Sequence, residues 1–217
     1  MAFGFRVRQR MFGKKISEVL VHDYRGPRPG FNETRVLKAI ITIGKMAAVG
    51  RGRLGTFLVL GPGETRTLIR RLQATGLIRV EANGCILTEL GKREYNSISK
   101  SLTSIGQVDA PFLNLGPYCW CFVLRGKSDK VRIGIEQRDA AILEGANGAL
   151  TLVYKEGRFI VPADKTDCES VNPSSLWNAI RGKGQLEDGD VVIIAGGDNL
   201  FAAEWGGWSA AMATIRK

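Results

Sequence analysis

The sequence predicts an α+β protein: an N-terminal winged helix-turn-helix followed by a C-terminal mixed α/β, sandwich-like domain. Three observations carry this expectation. Over residues 33–102 the apolar pattern reads helix, helix, turn, helix and β-hairpin in succession. Beyond that, strand and helix patterns intermix without an internal repeat. Charge divides at the same place. Residues 1–104 hold 19 Lys+Arg against 7 Asp+Glu, a net of +12, whereas residues 105–217 hold 12 against 14, a net of −2. A chain of 217 residues has room for two modest cores. The expected divisions are a basic arm over 1–30, the winged helix over 31–104, a linker over 105–116 and the second domain over 117–217.

The arm carries Arg6, Arg8, Arg10, Lys14, Lys15, Arg25 and Arg28 against Glu18 and Asp23 alone. Ile16, Val19 and Leu20 allow one short amphipathic turn within it, and Gly26-Pro27-Arg28-Pro29-Gly30 interrupts the chain afterwards. The arm reads either as a partly ordered tail or as a nucleic-acid contact. Asn32 is then suited to cap a helix in which Val36, Leu37, Ile40 and Ile41 form one apolar stripe and Glu33 complements the dipole. That helix fades over 44–48. Residues 53–59 suit a short second helix, with Leu54 and Leu58 one turn apart. Leu60-Gly61-Pro62-Gly63 makes the turn.

Residues 64–75 form the third helix. At 100° per residue, Leu68, Ile69 and Leu72 share one side; Thr67, Arg70 and Ala74 lie opposite, flanked by Arg66 and Arg71. An apolar back with small and basic residues in front suits a helix that enters the major groove. Residues 77–81 and 85–88 bracket Ala82-Asn83-Gly84 as a hairpin, the wing. Thr88 caps a fourth helix to about residue 102, with Leu90, Tyr95 and Ile98 as apolar contacts.

In the second half, residues 118–125 and 131–136 read as strands and 137–144 as a short helix. Residues 149–154 and 158–161 form a hairpin across Lys155-Glu156-Gly157. A helix over 174–181 precedes the turn Asp188-Gly189-Asp190. The buried strand Val191-Val192-Ile193-Ile194-Ala195 and a last helix over 199–215 complete the chain.

Several motifs yield no chemistry. Gly50-Arg51-Gly52-Arg53-Leu54-Gly55 satisfies G-x-G-x-x-G but follows a helix, whereas dinucleotide binding requires a preceding strand. Gly61-Pro62-Gly63-Glu64-Thr65 lacks the phosphate-loop lysine and spacing. Cys119-Trp120-Cys121 puts two thiols on one strand face, short of a tetrahedral metal site, and the lone His22 is far away in sequence. With Cys85 and Cys168 the four cysteines show no C-x-x-C spacing, which suits a reduced cytoplasmic protein. No catalytic residue, metal or cofactor is expected. No apolar run is long enough for a membrane span, and the N-terminus lacks a signal-peptide layout. Glu136, Arg138 and Asp139 read as surface ion pairs. Gly196, Gly197, Asp198 and Asn199 leave an apolar strand and enter a helix; either they form a small-ligand site, with Glu204, Trp205 and Trp208 nearby, or Asp198 simply caps the last helix beside core tryptophans.

Ile133-Gly134-Ile135-Glu136-Gln137-Arg138-Asp139-Ala140-Ala141-Ile142, Gly148-Ala149-Leu150-Thr151-Leu152-Val153-Tyr154-Lys155, Ile160-Val161-Pro162 and Asp188-Gly189-Asp190-Val191-Val192-Ile193-Ile194 resemble an archaeal family of uncharacterised transcriptional regulators. In that family a winged helix-turn-helix precedes an α+β domain of unknown function. The resemblance spans about residues 34–217 and implies a DNA-binding regulator with no catalytic residues to transfer.

The reading is therefore a non-enzymatic transcription regulator that binds double-stranded DNA as an expected homodimer, its second domain serving dimerisation, the sensing of a small polar effector, or both. Thr67, Arg70 and Ala74 would face base edges, with Arg66 and Arg71 reaching guanines or backbone. Arg51, Arg53 and, from the wing, Arg79 would meet phosphates. The alternatives are an RNA- or ribosome-associated factor using the arm and winged helix, and an enzyme acting through its second domain. The charge division makes a prediction. About six phosphate contacts give log K against log salt a slope of roughly −5 for duplex DNA. A flat response in a salt titration would remove the electrostatic mode.

Overall fold

The computed structural model describes residues 14–20 and 30–216. The rest of the basic arm, including Arg6, Arg8, Arg10, Arg25, Arg28, His22 and the glycine–proline break, lies outside the described residues. The chain divides into two compact units, residues 1–99 and 100–217.

The first unit begins with helix α1 (Lys14–Val19), which buries Ile16 and Val19. Helix α2 (Glu33–Met46) starts where Asn32 accepts a hydrogen bond from the Arg35 amide at 3.1 Å, and it buries Val36, Leu37, Ile40 and Ile43. Helix α3 (Arg51–Leu58) and helix α4 (Pro62–Ala74) both begin two residues earlier than the pattern suggested. Pro62 opens α4 instead of ending a turn, because its missing amide has no partner in a first helical turn anyway. Strands β1 (Ile78–Glu81) and β2 (Gly84–Leu87) form the wing, with Glu81 opposite Gly84 and a turn of Ala82 and Asn83. Val49 adds a third rung: its amide and carbonyl both bond Cys85, at 3.0 and 2.8 Å. Gly84 is required there. Its φ is +125°, and a Cβ would lie 2.6 Å from the Val49 carbonyl. Helix α5 (Glu89–Ser101) follows, its Gly91 amide capped by the Thr88 hydroxyl at 3.1 Å.

The second unit is one five-stranded antiparallel sheet with helices on both faces. Its strands are β3 (Leu102–Val108), β4 (Tyr118–Leu124), β5 (Gly148–Lys155), β6 (Arg158–Ile160) and β7 (Val191–Gly197), ordered β3-β4-β7-β5-β6. Alternation sorts the side chains. Cys119, Cys121, Val123, Leu152, Tyr154, Val192 and Ile194 meet Phe159, Trp177 and Ile180 on one face. Helix α7 (Cys168–Val171) and helix α8 (Ser175–Gly184) contribute to that layer. The other face is covered by helix α6 (Ile135–Leu143) and helix α9 (Leu200–Ile215), where Trp208 meets Phe122 edge-on at 5.1 Å.

Three expectations need correction. The linker expected over 105–116 is part of the second unit. Residues 105–108 complete β3, an edge strand whose half-exposed residues and register shift near Gly106 erase the alternation. Ala110 is buried and Phe112 meets Trp177 at 5.7 Å in a tilted pair, so the segment after β3 packs against the core. Residues 131–136 are not a strand: Gly134, at φ +86°, breaks the extended run and α6 starts at Ile135. Helix α7, which the pattern did not suggest, exists because Asp167 caps it by accepting from the Glu169 and Ser170 amides.

Asp190 fastens the turn before β7. Nearly buried, it accepts from Arg125 at 2.6 Å, from the Gly126 amide at 2.9 Å and from the Glu187 amide at 3.1 Å. Arg125 in turn donates to the Gly184 and Gln185 carbonyls at the end of α8. Asp190→Ala takes from that guanidinium its carboxylate partner and leaves two amides without their acceptor. It is expected to cost about 3 kcal/mol in urea denaturation at an unchanged m-value. A loss below about 1 kcal/mol would show that the network is dispensable.

Candidate nucleic-acid interface

The helix-turn-helix is shaped by its connection. Val59, which ends α3, adopts φ +52°, a rare conformation for a β-branched residue. The next residue, Leu60, donates to the Gly55 carbonyl at 3.0 Å. Glu64 reaches back to accept from the Gly61 amide at 3.0 Å, and Thr65 donates to the Gly61 carbonyl at 2.9 Å. These bonds fix where α4 begins and so which residues it presents.

Helix α4 buries Thr65, Leu68, Ile69 and Leu72. Its exposed face holds Gly63, Arg66, Arg70, Gln73 and Ala74. Thr67 sits half-buried at the edge, its hydroxyl donating to the Gly63 carbonyl at 3.0 Å. Arg66 and Arg70 thus occupy the middle of the outward surface, and Thr67 is peripheral. Gln73, one turn beyond Arg70, is a surface donor and acceptor that the sequence reading passed over; its place in the series 66, 70, 73 was the available signal.

Arg71 is the residue whose placement differs most from expectation. It donates to the Val19 carbonyl at 3.1 Å and lies over the Phe31 ring at 5.7 Å. Its guanidinium holds α1 against α4 rather than facing outward. Arg51 and Arg53 are exposed at the start of α3, where Gly50 caps without a side chain, and Arg53 lies over the Phe57 ring at 5.5 Å. Arg79 is exposed on β1, paired with Glu81 at 2.6 Å.

In the second unit, Gly196, Gly197, Asp198 and Asn199 do stand together at the end of β7, but the chain itself fills the space around them. A Cβ on Gly196 would meet the Leu115 backbone oxygen at 2.5 Å, and one on Gly197 would meet Ala202 at 2.9 Å. Asp198 accepts from Asn147 at 2.8 Å, and Asn199 caps α9 by accepting from the Ala202 amide at 2.9 Å. Trp205 and Trp208 are core. The glycines serve close packing rather than ligand approach. Arg138 and Asp139 form the expected surface pair at 3.0 Å.

Similarity to other proteins follows this division. Residues 115–215 match a family described as a domain of unknown function (DUF4443). The chain is also similar to the hypothetical protein PH0730 from Pyrococcus horikoshii OT3, with 25% identity and a TM-score of 0.65, over 83% of this chain and 91% of that one. No curated protein matches the sequence. Both likenesses accord with the archaeal, uncharacterised family that the sequence resembles. Within the DUF4443 region, Cys119, Cys121 and Cys168 are free and buried, and burial pushes all three thiols up, Cys121 most strongly. Among the described residues no group of three His, Cys, Asp or Glu side chains is placed to hold a metal, and no helix is long and apolar enough to cross a membrane.

The opposed placements of Arg71 and Arg66 predict different variants. Arg71→Ala is expected to lower the urea stability of the first unit by about 1–2 kcal/mol. Arg66→Ala should stay within about 0.5 kcal/mol of the parent. Equal losses would contradict the inward role of Arg71.

Proposed function

We propose that this chain is a non-enzymatic, cytoplasmic transcription regulator that binds duplex DNA through α3, α4 and the wing. One observation carries the reading: α4 presents Arg66, Arg70 and Gln73 on the face opposite its buried Leu68 and Leu72. An α-helix so arranged can lie in the major groove with its back held by the unit's own core. Arg70 reads base edges, and Arg66 and Gln73 flank it. Arg51 and Arg53 meet phosphate at the start of α3, and Arg79 does so from the wing. The net +12 of residues 1–104 supplies the sequence-independent attraction.

The second unit serves assembly on this reading. Ile135, Ile142 and Leu143 on α6 are exposed, and Leu143 is 87% accessible. Large apolar side chains in that setting suit an interface with a second copy, and a two-fold dimer would present two α4 helices to a palindromic site.

Competition between duplex DNA and structured RNA at equal salt is the deciding experiment. Preference for RNA would make the chain an RNA-associated factor and overturn the regulator reading. Arg70→Ala is expected to weaken binding to a selected site by about 1–3 kcal/mol and to relax discrimination at one or two base pairs. Arg79→Ala should weaken selected and random duplexes alike. If both variants lose equally on both duplexes, α4 is not the reading helix.

A further inference from the structure

The first unit contains a cavity that shares one residue, Arg79, with the proposed DNA contacts. It lies between the end of α2, the back of the wing and α5, and its volume is about 410 Å³. Cavities of this size hold small organic molecules. Ile43, Ile86 and Leu87 give it an apolar floor, whereas Arg79 and Lys92 bring two cations to it from different elements. Tyr95 and Asn96 add a hydroxyl and a carboxamide from α5.

Two backbone features maintain this space. Gly44 lets the Tyr95 ring lie directly on α2, since a Cβ there would come within 2.4 Å of the ring. Ala47, in the cavity wall, ends α2 at φ +60° and ψ −40°, a conformation that L residues rarely adopt. Such strain persists only where the surroundings enforce it, and it concentrates at sites that bind or switch.

We propose that this cavity binds a small amphipathic carboxylate, with its apolar or aromatic body on Ile43, Ile86 and Leu87 and its anionic group between Arg79 and Lys92. The chemistry favours an anion over a neutral molecule. Both cations sit in a unit of high positive charge, and their present partners are weak competitors. Arg79 pairs with Glu81 and Lys92 with Glu89, at 2.6 and 2.7 Å, and both pairs are solvent-exposed. Exposed pairs contribute little, so exchanging a carboxylate of the protein for one of a ligand costs little. A ligand held by both cations gains a charge-assisted contact from two elements at once.

Arg79 links the cavity to the proposed interface, and this part rests on the DNA-binding reading. A guanidinium turned back onto a bound carboxylate is no longer available to a phosphate beyond the wing. Occupancy of the cavity therefore weakens DNA binding, and DNA reciprocally weakens occupancy.

The test uses the full chain and two probes of equal shape, 2-naphthoate and 2-naphthamide, titrated by calorimetry without DNA. The acid is expected to bind at least about fivefold more tightly than the amide. Lys92→Gln should reduce that preference, leaving Arg79 alone to hold the carboxylate, while the amide binds as before. Ile86→Trp, which fills the floor, should abolish binding of both. No detectable binding of either probe, equal binding of acid and amide, or an acid preference undiminished in Lys92→Gln would each overturn the proposal.

A second arm titrates duplex DNA at saturating 2-naphthoate, where the apparent Kd is expected to rise roughly fivefold. Unchanged DNA affinity despite Lys92-dependent binding of the acid would overturn the coupling through Arg79. A chain that binds the acid but no duplex would overturn the regulator reading and leave the carboxylate site standing. A chain that binds duplex but not the acid would do the reverse.

Discussion

Seven consecutive residues without access to water set the architecture of the second unit. Every residue of β7 is buried, so the strand can sit only at the centre of a sheet covered on both faces. Burying each Val or Ile of that run stabilises the fold by about 1.5–3 kcal/mol, and this gain is available only if both helical layers form. The layers are therefore interdependent: α9 and α6 close one face, and the Trp177 cluster closes the other. Where β7 ends, its side chains vanish to make room for neighbouring backbone, with Leu115 against Gly196 and α9 against Gly197. Where it begins, Asp190 ties the incoming turn to Arg125 and to the end of α8. A central strand anchored at both ends cannot slip in register, because a shift of one residue would turn the Trp177-facing side chains onto α9.

The first unit has a smaller core and answers the same requirement with a joint. Two hydrogen bonds between Val49 and Cys85 tie the wing to the segment that leads into α3. A free two-stranded hairpin is marginal in water. Joined to that segment, β1 and β2 hold Arg79 at a defined distance from α4, which is what a two-point grip on a polyanion requires. Arg71 acts in the same sense by holding α1 to α4. The positive charge of this unit thus has two parts: guanidinium groups that build the scaffold, and others left outward on it.

Local chemistry was legible in the sequence, and long-range placement was not. Asn32 and Thr88 were readable as caps, and Ser174 and Asn199 as helix starts, because a cap bonds an amide two or three residues away; at the last helix the cap is Asn199 and not the Asp198 that the sequence suggested. The hairpin across Lys155 was readable because Glu156 and Gly157 both adopt positive φ, a turn that glycine advertises. Strand β3 was hidden since an edge strand with a register shift shows no clean alternation. The false strand over 131–136 had that alternation, and only Gly134 argued against it. At the candidate interface, a helical wheel correctly separated Leu68 and Leu72 from Arg70. It had no means of knowing that α1 would pack beside Arg71, a contact made across more than fifty residues of sequence. The segment 196–199 left two readings open for a related reason: glycines that admit a ligand and glycines that admit Leu115 look identical in sequence.

The carboxylates that accompany the outward arginines bear on what this surface is built to do. Arg79 on the wing has Glu81 beside it, and Lys92 at the start of α5 has Glu89. A surface selected only for tight binding to polyanions would omit such neighbours, because each lowers the local potential that draws a phosphate in. Retaining them makes contact conditional. A phosphate, or a carboxylate in the cavity behind the wing, must be well enough placed to displace an existing partner, and a poorly placed anion gains nothing. Arg66 and Arg70 on α4 stand in contrast: they are outward, and among the described residues the ion pairs seen on the wing and α5 have no counterpart at either. Attraction is thus strongest where the proposed reading of base edges takes place and is tempered on the wing. That division favours discrimination between sites over affinity for any single one.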